Sequence, residues 1–135
     1  MDELFRSAQN MGIQIQYCSL PLNESVSTPD SKGGLILLDY SLLGMPRRER
    51  THLAHELGHC ATGSFYNLYA PLDIRARHEW RANKWAVHHL FSPEEIKKAT
   101  SLGYTETWQL AEYFDVTEDF IRTALRIYQC EEVLS

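Results

Sequence analysis

The stretch Pro46-Arg47-Arg48-Glu49-Arg50-Thr51-His52-Leu53-Ala54-His55-Glu56-Leu57-Gly58-His59-Cys60-Ala61-Thr62-Gly63 decides how this chain is read. Leu53, Leu57 and Ala61 recur at i, i+4 and i+8, Pro46 suits a first helical turn and Gly63 a stop, so residues 47–62 read as one helix. Inside it lies His55-Glu56-Leu57-Gly58-His59, an H-E-x-x-H pattern. Four residues leave only about 40° of net rotation on an α-helix, so both imidazoles project from one face and can share one metal ion. Glu56, rotated about 100° from His55, can reach a water beside that metal rather than the metal itself. Its residue type and position suit a general base. The bland alternative is a solvated helix that happens to carry two histidines.

A catalytic zinc ion normally takes three protein ligands and leaves the fourth position open, so a third ligand is required. The extended metzincin pattern would need glycine at position 62 and histidine at position 65, where this chain has Thr62 and Phe65. Glu79, in His78-Glu79-Trp80-Arg81-Ala82-Asn83-Lys84-Trp85-Ala86, is the better candidate. It lies on the next expected helix, and the intervening loop is long enough to turn that helix antiparallel to the first. Asn83 follows Glu79 by one turn, where its side-chain oxygen can accept the outer ring N–H of a liganding histidine or serve as a plain packing amide. His52 competes as a ligand, but three ligands on one straight helix spread over roughly 10 Å cannot converge on one tetrahedral ion. His78, His88 and His89 are rotated or displaced away and read as surface or packing residues. Tyr66 and Tyr69 lie in the loop that passes near the metal, where one can donate to a developing oxyanion or simply pack. Trp80, Trp85 and Trp108 read as core or interface anchors.

Outward from this pair of helices, Leu4, Phe5, Ala8 and Met11 make a short first helix ending at Gly12. Ile13-Gln14-Ile15-Gln16-Tyr17 alternates with period two and reads as a half-buried strand. Leu35-Ile36-Leu37-Leu38 is a second strand behind a turn-forming segment, and residues 24–28 add a weaker one. Ser64 to Ile74 reads as loop, Arg75 to Phe91 as a second long helix, and Ser92-Pro93-Glu94-Glu95 as a capped start of a third that stops at Gly103. Residues 105–114 and 117–128 form two more short helices. The expected class is therefore α+β: a small, about three-stranded antiparallel sheet packed on a helical body. The expected division places a zincin-like domain at residues 1–100 and an acidic helical section, packed on it or continuous with it, at 101–135.

Length and composition agree with a single core: 135 residues, 44% apolar and 23% charged. No apolar run approaches the ~20 residues of a membrane-spanning helix, and Met1-Asp2-Glu3-Leu4-Phe5-Arg6 has no signal-peptide character. Cys18, Cys60 and Cys130 are widely and irregularly spaced and read as reduced thiols, so the expected location is the cytoplasm. The net charge of −5 is uneven, because residues 1–100 carry 11 basic and 11 acidic side chains while residues 101–135 carry 2 and 7. That balance argues against a polyanionic partner for the C-terminal section.

Several segments together resemble the ImmA/IrrE family of zinc metallopeptidases, especially its short phage and mobile-element members. They are Thr51 to Cys60, Gly63-Ser64-Phe65-Tyr66-Asn67, Glu79-x-x-Ala82-Asn83-Lys84-Trp85-Ala86, the Ser92-Pro93 helix start, and Leu110-Ala111-Glu112-Tyr113-Phe114-Asp115-Val116 with Phe120-Ile121 and Tyr128. The likeness spans about residues 1 to 128. It implies one Zn2+ held by His55, His59 and Glu79, with Glu56 activating water. It also implies a protein substrate, a helix-turn-helix repressor encoded beside the gene, whose cleavage releases prophage or conjugative-element genes. Two positions depart from the family's pattern: Arg81 stands where another acid is common, and His52 where a smaller residue such as threonine is expected.

Two other functions compete with a hydrolase. A metal-stabilised interaction domain would keep the ion without the reaction, yet it has no use for a base beside an open coordination position. A DNA-binding regulator would use residues 110–121, which have the outline of a helix-turn-helix. There, Glu112, Asp115, Glu118 and Asp119 surround the turn against only Arg122 and Arg126, so no nucleic-acid partner is expected.

Overall fold

Gly34-Leu35-Ile36-Leu37-Leu38-Asp39 carries apolar side chains toward both faces, and it occupies the middle of the only sheet among the described residues. The structure is a computed structural model that describes residues 2–67 and 69–132. Its elements are α1 (Asp2–Asn10), β1 (Ile13–Cys18), β2 (Ser25–Thr28), β3 (Gly34–Asp39), a 3-10 turn (Tyr40–Leu42), α2 (Pro46–Thr62), α3 (Leu72–Leu90), α4 (Pro93–Ser101), α5 (Thr107–Phe114) and α6 (Glu118–Cys130). The fold is α+β, as expected from the sequence.

The sheet order is β1-β3-β2. β2 runs antiparallel to β3, with Ser25 opposite Leu38 and Thr28 opposite Leu35. β1 instead runs parallel to β3, pairing Ile13 with Gly34 and Cys18 with Asp39, so the sheet is mixed and the expectation of an all-antiparallel sheet is corrected. The chain lays β2 at the far edge before returning through residues 29–33 to place β3 in the centre. Period-two alternation fixes the face each side chain takes but not the direction of the neighbouring strand.

The helices sit where their caps put them. Pro46 occupies the first turn of α2, and Gly63 closes it in the left-handed conformation at φ 67°. α3 begins at Leu72, three residues before the expected Arg75, because the Pro71 carbonyl accepts the N–H groups of both Ile74 and Arg75 at 3.1 Å. Pro71, inside the segment expected to be loop, is thus the N-cap from which the helix starts. Ser92 and Glu95 form the expected capping box of α4.

α2 is the hub, packed on β2, β3 and α3. Its approach to α3 is set by Gly58: a Cβ added there would stand 2.2 Å from the Ala82 carbonyl oxygen, so only glycine permits this backbone contact. Leu53 and Leu57 of α2, Ile36 and Leu38 of β3, and Val87 and Phe91 at the end of α3 belong to one core. Leu110, Val116, Phe120, Ile121, Ile127 and Tyr128 join that same core. Tyr128 is fully buried, and its hydroxyl donates to the Phe91 carbonyl at 2.6 Å. Trp85 packs against the core, whereas Trp80 and Trp108 remain 37% and 53% exposed and are not core residues. Cys18, Cys60 and Cys130 are all free thiols. Among the described residues no helix is long and apolar enough to cross a membrane.

Candidate metal centre

The i, i+4 spacing on α2 stacks His55 and His59 on one face, their rings perpendicular with centroids 4.7 Å apart. The close α2–α3 contact at Gly58 brings Glu79 against both: its Oε2 lies 2.8 Å from His55 Nε2 and its Oε1 3.2 Å from His59 Nε2. The two Nε2 atoms are themselves 3.1 Å apart. One donor atom from each of the three residues lies within 4.8 Å of the others, and among the described residues no other such group forms.

The outer nitrogens explain why the inner ones face each other. His55 Nδ1–H donates to Asn83 Oδ1 at 2.6 Å, and His59 Nδ1–H donates to the Ser64 carbonyl at 2.5 Å. Each ring then presents its Nε2 lone pair to the centre in the neutral form. Two bare imidazole nitrogens and a carboxylate at these distances repel unless something positive joins them. The residues therefore fit a divalent metal ion with one side open to ligands.

Without a metal, protons take that place. Burial disfavours charge on His55, but hydrogen bonding to Glu79, with the Glu56 and Glu79 charges and Asn83 adding to it, outweighs this and raises its pKa above 6.5. Burial likewise opposes ionisation of Glu79, yet hydrogen bonds from His55, His59 and Tyr66 hold its carboxyl well below the usual range. Tyr66 donates its hydroxyl to Glu79 Oε1 at 2.6 Å, and that bond, together with burial, pushes the phenol up to about 12. Tyr66 is thus a firmly protonated donor beside the centre. Tyr69 is almost fully exposed and is not among the residues that border the cleft at this centre.

Glu56 is 6% exposed and lines the same cleft, its Oε2 accepting from Ser25 Oγ at 2.7 Å. His52 lies outside the three-residue group: its Nδ1 is 2.8 Å from Ser25 Oγ and its Nε2 2.6 Å from Glu24 Oε2. His88 pairs with Glu131, and His89 stacks on Trp85. An open cleft of about 590 Å³ runs past the centre, bordered by residues 23–29, His55, Glu56, His59, Phe65, Tyr66, Arg75 and Glu79. Three contributors were not foreseen from sequence: Gly58, Ser25 and the Ser64 carbonyl. Only Gly58 carried a signal, because a glycine inside a helical pattern often marks a close backbone approach.

The model of the peptidase M78 family, described as an IrrE N-terminal-like domain, matches residues 8–126. The chain belongs to this family. No curated protein and no solved structure is a match. Membership in this peptidase family implies a metallopeptidase, and His55, His59 and Glu79 lie close enough together to hold a metal ion. The family match runs through the H-E-x-x-H helix, the Glu79 helix and most of α6, so it covers every residue of the centre described above.

Proposed function

We propose that the chain is a cytoplasmic, zinc-dependent endopeptidase whose ion is held by His55, His59 and Glu79 and whose general base is Glu56. The observation that carries this reading is the convergence of two Nε2 atoms and a carboxylate on one point, with a buried second carboxylate, Glu56, flanking the same cleft. When bound, zinc supplies Lewis acidity toward the scissile carbonyl. Glu56 removes a proton from the attacking water and delivers it to the leaving nitrogen, so one carboxylate serves both halves of the reaction. Asn83 and Ser64 hold the histidines in the liganding tautomer, and Tyr66, whose single hydroxyl proton goes to Glu79 here, would serve a developing oxyanion by turning that proton away from Glu79. β2 is one of the two edge strands of the sheet and lines the cleft, so an extended peptide can add to it as a further strand.

The substrate we assign is a helix-turn-helix repressor of a phage or mobile element, encoded beside this gene, whose cleavage derepresses the element. The test incubates the purified pair with zinc and follows both proteins by mass spectrometry, comparing wild type with Glu56→Gln. A defined cut made by wild type alone is expected, with zinc retained in both. Equal cleavage by Glu56→Gln would sink the assignment of the base. The DNA-binding alternative is disfavoured by the surface of α5 and α6, where Arg47 of α2 is spent on Glu112 and Asp115, at 3.9 and 3.8 Å.

A further inference from the structure

Resting on the peptidase reading, we infer that Ser25 of β2 is the positioning residue for Glu56, fixed in turn by His52, Glu24 and Arg48. A general base is effective only if its carboxylate is oriented toward the proton it takes, and a glutamate has three side-chain torsions to restrain. Glu56 is buried, but burial alone does not select which oxygen faces the cleft. Ser25 does so by donating to Oε2 at 2.7 Å, which leaves the other oxygen free for the reaction. A serine hydroxyl can rotate away from such a contact, and here its oxygen is also held, 2.8 Å from His52 Nδ1. Because the single Ser25 proton goes to Glu56, His52 Nδ1–H must donate to Ser25, and the opposite ring nitrogen, 2.6 Å from Glu24 Oε2, must donate as well. His52 therefore serves this line as the imidazolium, held against the burial that lowers its pKa by the Glu24 carboxylate, whose other oxygen is paired with Arg48. The line Arg48, Glu24, His52, Ser25, Glu56 thus passes four times between α2 and the residues that open β2.

This line gives His52 a purpose that its place on the helix left unexplained. It is too far along α2 to join the metal, yet one turn before Glu56 it lies beside the strand that carries Ser25. It also ties the base to the edge strand that borders the cleft, so Glu56 is set from the side where a peptide would lie.

The experiment uses the full chain. Glutamate is labelled at its side-chain carboxyl carbon with 13C, and the Glu56 resonance is assigned by its loss in Glu56→Gln. Ser25→Ala is expected to displace that resonance and Ser25→Thr, which keeps the hydroxyl, to restore it. Zinc content should stay at the wild-type value in both variants. On the repressor substrate, Ser25→Ala should lower kcat about tenfold or more with KM nearly unchanged, the scale of losing one hydrogen bond to a charged group. Recovery in Ser25→Thr separates the hydroxyl from mere packing. An unmoved Glu56 resonance in Ser25→Ala overturns the inference whether or not a substrate is in hand. Wild-type kcat in Ser25→Ala, with Glu56→Gln inactive, overturns it and leaves the peptidase reading intact. Full activity of Glu56→Gln removes that reading instead, and the carboxyl resonance still decides whether Ser25 orients Glu56.

Discussion

At the residue scale, the centre is held together by what the outer atoms of its proposed ligands touch. Glu79 is the test of that arrangement, because it alone comes from α3 and both histidines lean on it. Glu79→Ala is expected to lower zinc affinity by at least the roughly 10–100-fold seen when even an outer-sphere partner is lost, and to remove it from protein purified without added metal. Elemental analysis checks this, and full occupancy would point to a different third ligand. Proton competition gives a second prediction. His55 has a pKa raised above 6.5 in the metal-free centre, where burial is outweighed by Glu79, so zinc must displace a proton to bind. Apparent zinc affinity should therefore be flat above that raised pKa and fall about tenfold per pH unit below it. Competition with a chromophoric chelator across the acid side of neutrality measures the slope. The metal-free protein shows the opposite dependence for this group. The stability from raising His55 is fully present below 6.5 and is lost as pH rises through the folded value.

At the element scale, the decisive contact is between α2 and α3. Gly→Ala within a helix ordinarily stabilises by about 0.5–1 kcal/mol. Here the sign reverses, since the new methyl would stand 2.2 Å from the Ala82 carbonyl oxygen and 3.0 Å from its Cα, both backbone atoms that cannot rotate away. Gly58→Ala is expected to cost about 1–3 kcal/mol by forcing the helices apart. Zinc affinity should fall with it, because Gly58 directly precedes His59 and Ala82 lies one turn after Glu79, so forcing these backbones apart separates the residues of the centre. Thermal melting and zinc titration on one preparation test both effects, and a raised Tm with unchanged affinity refutes the account. The same contact shows what could be read in advance. The helices were legible because apolar spacing, Pro46, Gly63 and the Ser92–Glu95 box are local signals. Two histidines and a glutamate could be put on facing helices from spacing alone. The parallel pairing of β1 with β3 left no trace in either strand, since alternation is indifferent to direction. Ser25 was hidden for a related reason: it meets Glu56 only because β2 folds back beside α2, a contact 31 residues apart that no short pattern encodes.

At the scale of the whole molecule, the question is whether the metal-binding half could exist without the acidic section that follows it. The charge asymmetry suggests an appendage, with 2 basic and 7 acidic residues beyond position 100. The packing argues for one cooperative unit. Val116, Ala124, Ile127 and Tyr128 are fully buried, and Leu110, Phe120 and Ile121 nearly so, in the core that also holds Leu53, Leu57 and Phe91. Each large apolar side chain taken from that core forfeits about 1.5–3 kcal/mol, so losing five or six of them consumes the roughly 5–15 kcal/mol by which a domain is stable. Polar ties add to this, for Thr51 Oγ1 accepts the N–H of Thr117 at 3.1 Å from within α2 itself, one turn before His55. A chain ended after Ser101 is therefore expected to lack fixed tertiary structure, with near-UV circular dichroism lost and no stoichiometric zinc bound, although its ligands are all present. A truncated chain that melts cooperatively and binds one zinc would show instead that the metal-binding domain closes by residue 101 and that the acidic helices are docked upon it.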